Sequence, residues 1–119
     1  MKGKAFGSMG EKIAARYLQN HNYRITAQNF RWAHGEIDII TQKTGLLVFV
    51  EVKTTHAATT LGAPETWVQA RKQQQIAKTA LRYLQTHEIA DVDIRFDVIG
   101  ITYSMGTWYI AHRQDAFSL

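Results

Sequence analysis

The 119-residue chain contains no cysteine. Disulfide bonds and thiolate-ligated metal sites are therefore excluded, and we expect a protein of a reducing compartment such as the cytoplasm. Long apolar runs are also missing: nothing of signal-peptide length follows the basic start Met1-Lys2-Gly3-Lys4, and no stretch could span a bilayer. The sequence thus predicts a soluble, cytoplasmic protein without a membrane partner.

Internal repeats, linkers and low-complexity segments are absent as well. The length suits one domain with a real hydrophobic core, so we expect a single domain over residues 1–119. With 45% apolar and 20% charged residues, the composition is that of a globular protein and not of a disordered chain. The net charge of +4 favours an anionic partner.

Apolar periodicity predicts seven elements in the order αβββαββ. The long second helix would cross over and return the chain parallel to the third strand, whereas the first three strands form an antiparallel meander. This is an α/β fold with a mixed five-stranded sheet. The polar segment from Thr54 to Gly62 is predicted to be a loop, and Arg113–Leu119 a short tail. The elements are predicted at about Ser8–His21, Tyr23–Trp32, Gly35–Lys43, Leu46–Lys53, Pro64–His87, Val92–Ile101 and Gly106–His112.

Charged residues interrupt two apolar strands that meet at the turn Thr44-Gly45. If this turn has two residues, counting back along both strands places Asp38 directly opposite Glu51. A four-residue loop would leave the two residues diagonal, and an odd loop or a bulge would separate them. By alternation, Glu36, Asp38 and Ile40 share one face of their strand, and Ile37 and Ile39 share the other.

Two opposed carboxylates repel each other and need a positive partner. Lys53 is one candidate, and a divalent cation such as Mg²⁺ is the other, because hard ions take oxygen ligands from carboxylates. The alternative is a solvated strand face, on which Asp38, Glu51 and Lys53 only keep the protein soluble. Both faces of this hairpin carry apolar residues, however, and ionisable groups on a covered face favour a functional role.

Other candidates lie outside the hairpin. Glu11 either completes a capping box with Ser8 or turns toward the sheet as a third carboxylate. The second helix has a predicted core stripe of Ile76, Ala77, Ala80, Leu81 and Leu84. Arg31 and His34 are candidate phosphate contacts in a basic and aromatic turn that could equally be an ordinary exposed turn. Lys72 and Gln73 could reach toward the sheet edge where the carboxylates lie.

Asp38, a following hairpin and then Glu51-Val52-Lys53 resemble the signature of the PD-(D/E)XK nuclease superfamily. More narrowly, the chain resembles the YraN-type family of bacterial proteins, which is similar to archaeal Holliday junction resolvases. The resemblance spans roughly Gly7 to Phe117. It is carried by Gly10-Glu11, Gly35-Glu36-Ile37-Asp38, Val48-Phe49-Val50-Glu51-Val52-Lys53, Gly62-Ala63-Pro64, Lys72-Gln73, Arg95-Phe96-Asp97-Val98 and Asp115-Ala116-Phe117.

The resemblance implies a restriction-endonuclease-like, three-layer α/β/α fold and a site for Mg²⁺ or Mn²⁺. Asp38 and Glu51 would bind the ion, with Glu11, directly or through water, and the carbonyl of Val52 as further ligands. Lys53 would orient the attacking water and stabilise charge on the phosphate. Lys72 and Gln73 match positions that approach the phosphate, while Thr55 stands where the family commonly has Arg.

The resemblance further implies a metal-dependent endonuclease that hydrolyses DNA, with branched or repair intermediates as candidate substrates. Junction resolution would call for a homodimer. The alternative from a different class is a noncatalytic nucleic-acid-binding or adaptor domain that keeps the nuclease fold and a cation but does not cut. A third hypothesis is a structural module in which the charges form a buried salt-bridge network.

Overall fold

The computed structural model describes residues 3–56 and 67–118. Within these residues, two helices and five strands follow one another in the predicted order αβββαββ. No helix in this part of the chain is long and apolar enough to cross a lipid bilayer. The elements are α1 (Gly3–Asn20), β1 (Arg24–Trp32), β2 (Gly35–Lys43), β3 (Leu46–His56), α2 (Ala70–Thr86), β4 (Asp93–Ser104) and β5 (Thr107–Phe117).

The five strands form one sheet in the order β1-β2-β3-β4-β5. Strands β3 and β4 pair in parallel, from Leu46 opposite Asp93 to His56 opposite Tyr103, and the other neighbours are antiparallel. A parallel pair requires a crossover, and the connection that contains α2 provides it. The predicted mixed sheet is confirmed.

The two helices cover opposite faces of the sheet, each over its own apolar core. Alternate residues of β3 enter different cores, as a pleated strand requires. This confirms the α/β/α layering. The core under α2 contains Ile37, Ile40, Leu47, Phe49, Ile76, Ala80, Tyr83, Phe96 and Val98. The core under α1 contains Ala14, Leu18, Tyr23, Ile39, Val48, Val50, Ile99 and Ile101.

Helix α1 begins at Gly3, earlier than the predicted start at Ser8. Ser8 therefore lies inside the helix, and the predicted capping box with Glu11 is wrong, because a capping side chain must flank the first turn. The reason is that the residues before Ser8 have packing partners: Phe6 is buried and stacks on His56, with ring centroids 4.1 Å apart. A tertiary contact thus extends the helix beyond its local signal.

Helix α1 ends at Asn20, one residue before the predicted His21, and the predicted left-handed conformation of Asn22 is confirmed. Asn22 has a φ of 69°, in the left-handed region. The N–H of Asn22 donates to the carbonyl of Gln19 at 3.1 Å, and the N–H of Tyr23 donates to that of Leu18 at 3.0 Å. This pair of bonds satisfies the last carbonyls of the helix and turns the chain into β1.

Helix α2 begins at Ala70 and ends at Thr86, so the predicted start at Pro64 is too early; Pro64 itself lies outside the described residues. The predicted core stripe is also wrong in part. Leu81 is 55% exposed, whereas Thr79 and Tyr83 are buried. The hydroxyl of Thr79 donates to the carbonyl one turn earlier at 2.8 Å, so this polar side chain is buried with its hydrogen bond satisfied.

Three strands, β3, β4 and β5, are longer than predicted, and β4 ends at Ser104 instead of Ile101. Strand β3 runs to His56, into the segment predicted as a loop, whose residues 57–62 the structure does not describe. Strand β5 runs to Phe117, although a tail from Arg113 was predicted. The extensions of β3 and β5 pair with β4, and Phe117 stacks on Phe96 with ring centroids 5.0 Å apart. Pairing with β4 thus overrides the polar composition of these segments.

Gly10 allows α1 to pack tightly against β3. A Cβ atom at this position would lie 2.0 Å from the Oγ1 of Thr54 and 2.9 Å from its Cβ. Such distances do not occur without displacement of one element. Because Glu11 is the next residue, the close packing at Gly10 also brings Glu11 toward the sheet.

Gly10→Ala is expected to lower the free energy of unfolding by about 1–3 kcal/mol, because the added methyl group overpacks this contact. Gly7→Ala in the same helix is the matched control: nothing lies within 4 Å of its Cβ position, so the gain in helix propensity should stabilise the protein by up to about 1 kcal/mol. Urea titrations followed by circular dichroism measure both changes. Equal stability of the two variants would contradict the packing argument.

Candidate metal centre

The turn between β2 and β3 sets the register of the site. Thr44 and Gly45 have φ values of 48° and 78°, as a two-residue hairpin turn requires. Lys43 lies opposite Leu46, and the same register continues along the strands. The predicted turn is confirmed, and beyond the last regular pair, Ile39 with Val50, the side chains of Asp38 and Glu51 share a hydrogen bond.

The predicted alternation is wrong next to Asp38. Ile37 and Ile39 were expected on one face, but Ile37 packs into the core under α2 and Ile39 into the core under α1. Regular pairing of β2 with β3 ends at Ile39 opposite Val50. The segment that carries Asp38 therefore departs from the strict pleat, which counting along the sequence could not reveal.

Asp38 is almost enclosed, with 8% of its surface exposed. The backbone N–H of Val52 donates to its Oδ2 at 2.7 Å, and the side chain of Asp38 also shares a hydrogen bond with Glu51. Burial, then the charge of Glu51 and this shared bond, raises the pKa of Asp38 to about 9, and the Val52 N–H only partly offsets the rise. Without a cation, burial and the charge of Glu51 thus favour the protonated form of Asp38.

Lys72 is the cation that touches the pair. Its Nζ lies 3.0 Å from the Oε2 of Glu51, and its side chain is 51% exposed. Burial lowers the pKa of Lys72, but the hydrogen bond and charge of Glu51 outweigh it, so that the pKa is raised. The expectation that Lys72 reaches the carboxylates is met. Lys53, two residues after Glu51 on β3, is exposed.

Glu11 approaches the pair from α1. Its Oε1 accepts a hydrogen bond from the Nδ2 of Asn29 at 2.9 Å, and its charge adds to the rise in the Asp38 pKa. Within residues 3–56 and 67–118, however, no three His, Asp or Glu side chains are close enough together to hold a metal ion. Glu11 therefore stays a predicted ligand through water.

Asn29 was not among the predicted site residues. Its φ of 52° is in the left-handed region, and its neighbours in β1 pair with Ile37 and Ile39, on either side of Asp38. Asn enters this region more readily than most residues. That tolerance is the only signal in the sequence, and it does not indicate where the side chain points.

The donor set suits a hard divalent cation. Such an ion is commonly held through one or two carboxylates, with water and phosphate oxygens completing its shell. Asp38 and Glu51 supply two carboxylates from facing strands, and a bound cation would offset their repulsion. Val52, next to Glu51, has a carbonyl in the same region. These residues therefore fit Mg²⁺ or Mn²⁺.

The remaining predicted residues lie around this centre in different roles. Arg31 forms an ion pair with Glu36 across β1 and β2. His34 is exposed at the end of the following turn. The side chain of Gln73 donates to the carbonyl of Val68 at 2.8 Å, at the start of α2. The structure thus engages Gln73 with the backbone, while Arg31 and His34 lie on the surface.

A second charged cluster surrounds Asp97, which has no exposed surface. Its carboxylate accepts two hydrogen bonds of 2.8 Å from Arg95, one of 2.7 Å from the Nε2 of His112 and one of 3.0 Å from the N–H of Asp115. Burial opposes its ionisation, but the bonds from His112 and Arg95 prevail and lower the pKa of Asp97. The predicted pairing of Arg95 with Asp97 is confirmed. This cluster joins β4 to β5.

Comparison with known sequences identifies the family. The family model described as "Uncharacterised protein family UPF0102" matches residues 10–101. A UPF0102 protein of Geobacter metallireducens is 43% identical over 119 residues, which cover 100% of this chain and 97% of the relative. The chain belongs to the UPF0102 family. The YraN-type family resemblance read from the motifs is thereby confirmed.

Other relatives of this UPF0102 chain are equally well covered. A UPF0102 protein of Geobacter sulfurreducens is 45% identical over 117 residues, or 98% of this chain and 91% of the relative. One of Flavobacterium johnsoniae is 35% identical over 114 residues, or 93% and 92%. The matched range contains Asp38, Glu51 and Lys72, so the candidate metal centre lies within the part that defines the family.

Proposed function

We propose that this UPF0102 protein is a metal-dependent endonuclease that hydrolyses DNA phosphodiesters, with branched or repair intermediates among its substrates. The observation that carries the proposal is the enclosed pair of Asp38 and Glu51. Two facing carboxylates, one with a pKa raised to about 9, lower the stability of a hairpin. A hairpin with only a structural role would gain nothing from this arrangement. Perturbed carboxylates of this kind cluster at functional sites.

Asp38 and Glu51 would hold Mg²⁺ or Mn²⁺, assisted by the carbonyl of Val52 and, through water, by Glu11. An ion of this kind lowers the pKa of a bound water and neutralises charge that develops on the phosphate. The protein orients its ligands beforehand: the N–H of Val52 fixes Asp38, and Asn29 fixes Glu11. These two hydrogen bonds would hold the carboxylate groups of Asp38 and Glu11 in place before a substrate binds.

Two lysines would act on the phosphate. Lys53 follows Glu51 by two residues on β3, so both share a strand face, and its exposed ammonium can orient the attacking water and stabilise the phosphate oxygens. Lys72 neutralises Glu51 while half of its side chain faces solvent, so it can also donate to a phosphate. The net charge of +4 favours the approach of DNA. Resolution of a two-fold symmetric junction would require a homodimer.

One observation favours the noncatalytic alternative, a nucleic-acid-binding or adaptor domain. The raised pKa of Asp38 and the ion pair of Glu51 with Lys72 both reduce the negative charge of the carboxylates without a metal. In such a domain, divalent ions would leave bound DNA intact, whether or not they change the thermal stability. Both quantities are measured in the experiment below.

Lys53→Ala is expected to lower the cleavage rate by about a hundredfold or more, because a preorganised donor to the phosphate is lost. Its thermal shift on addition of Mg²⁺ should remain, since Lys53 is not an ion ligand. Lys12→Ala, which removes an exposed lysine of α1, is the matched control and should cleave normally.

The assay uses labelled single-stranded, duplex, flap and four-way-junction DNA in Mg²⁺ or Mn²⁺. Failure of the wild-type protein to cut any of the four would contradict the proposed activity. If Lys53→Ala and Lys12→Ala cut equally well, the role assigned to Lys53 would be wrong while the metal centre could still hold.

A further inference from the structure

A cavity of about 300 Å³ lies between the turn after β1 and helix α2. Trp32, His34, Gln75 and Lys78 contribute to its lining, which, among the described residues, contains no carboxylate. The nearby Glu36 is already paired with Arg31. The cavity therefore combines an aromatic wall with donors and positive charge, which suits an anionic aromatic ligand.

Trp32 presents its indole to solvent. The residue is 42% exposed, and the guanidinium of Arg82 lies over the ring at 5.7 Å from its centroid. An exposed indole beside cationic side chains is the combination with which proteins bind single-stranded nucleic acids: bases stack on the ring while Lys and Arg contact the phosphates. Arg82 and Lys78 lie one turn apart on α2, so both cations belong to the same side of the cavity.

The turn that follows Trp32 packs closely against α2. Gly35, which pairs with Trp32, lies so close to the helix that a Cβ would be 2.0 Å from the Oγ1 of Thr79 and 3.2 Å from the carbonyl oxygen of Gln75. The backbone beside Trp32 is therefore held against α2 before any ligand binds. A preorganised aromatic surface loses little conformational entropy on binding.

The cavity is also close to the carboxylates. Asp38 follows Gly35 by three residues on the same strand, or about 10 Å at 3.3 Å per residue. Stacked nucleotides advance by about 3.4 Å each along one strand. A base at Trp32 would therefore lie within a few nucleotides of a phosphate at Asp38.

We infer that the Trp32 cavity binds an unpaired base of the DNA substrate and so directs the site to single-stranded segments, such as flaps or splayed ends. Bases in an intact duplex are stacked on each other and cannot lie against the indole. This inference rests on the proposed function for its choice of DNA as the ligand. Its test measures binding without cleavage, so the two can fail separately.

The test uses fluorescence anisotropy in EDTA with a labelled single strand and with a blunt duplex of the same length. Trp32→Ala is expected to weaken binding of the single strand about tenfold and to leave the duplex unchanged. Trp32→Phe should retain most of the affinity because it keeps an aromatic face, and Trp32→Leu should lose it. Tyr109→Ala is the matched control, since Tyr109 is 58% exposed on β5 at the opposite edge of the sheet.

Each alternative result would overturn the inference. Unchanged single-strand binding by Trp32→Ala would exclude a role for the indole. Equal losses on single strand and duplex would indicate a general surface contact, and full affinity of Trp32→Leu would indicate apolar contact without stacking. Thermal melts confirm that each variant is folded, which is expected because Trp32 lies on the surface. Cleavage assays on the same proteins report separately on the proposed function.

Discussion

Asp38→Asn is expected to reduce DNA cleavage by more than about a hundredfold, since even changes to groups that only support a metal ligand typically cost 10- to 100-fold. The amide oxygen can still accept the N–H of Val52, and the amide nitrogen can donate to Glu51. The variant therefore reproduces the protonated pair but removes one of its two anionic ion ligands. Cleavage rates and thermal melts with and without Mg²⁺ or Mn²⁺ measure the effect.

The same variant should stabilise the metal-free protein in a pH-dependent way. The pKa of Asp38 is raised from 3.8 to about 9, so between these values the folded state binds more protons than the unfolded state. The contribution of Asp38 to the free energy of unfolding therefore decreases as the pH rises through this window. In EDTA, the advantage of Asp38→Asn over the wild type should grow with pH.

Asp91→Asn is the matched control. Asp91 is exposed, has a φ of 57° that asparagine tolerates, and precedes β4 at the hairpin end of the sheet, away from Glu51. The Asp91→Asn variant should cleave DNA and respond to Mg²⁺ as the wild type does. Wild-type cleavage by Asp38→Asn, or an Mg²⁺-induced thermal shift that survives in this variant, would contradict the assignment of Asp38 as an ion ligand.

Asp97→Ala is expected to lower the free energy of unfolding by about 3–5 kcal/mol, the usual cost of removing one partner of a buried ion pair. The substitution leaves the guanidinium of Arg95, 20% exposed, without its carboxylate, and it also removes the acceptor for His112 and for the N–H of Asp115. Urea unfolding followed by circular dichroism measures the loss. Asp93→Ala, an exposed carboxylate on the same strand, should change stability little.

Acid should abolish the contribution of Asp97 to the free energy of unfolding. Because its pKa is lowered on folding, its stabilising effect is complete above the ordinary value near 3.8 and is lost as the pH falls through the folded value. The free energy of unfolding of Asp97→Asn should therefore depend less on pH below about 4 than that of the wild type. An equally steep acid transition in Asp97→Asn would show that other carboxylates control acid unfolding.

Local signals determined the hairpin and the order of elements. A two-residue turn at Thr44-Gly45 fixes the strand register, and the register brings Asp38 to Glu51. The C-terminus of α1 was equally predictable, since Asn22 tolerates the left-handed conformation. Each of these features depends on residues close together in the sequence or on a count along paired strands.

Contacts between remote residues decided the rest. The polar ends of β3 and β5 form strands because they pair with β4. Helix α2 buries Thr79 because Gly35, which has no side chain, leaves room for it. The ion pair of Lys72 with Glu51 and the placement of Asn29 beside Glu11 arise in the same way.

For Asp38 and Glu51, the sequence by itself determined that the two carboxylates face each other. Only the tertiary structure decided that Asp38 is buried, that its pKa is raised and that Lys72, from α2, pairs with Glu51. The reason is physical: strand register follows from backbone hydrogen bonding along neighbouring strands, whereas burial and charge balance depend on how separate helices and strands pack together.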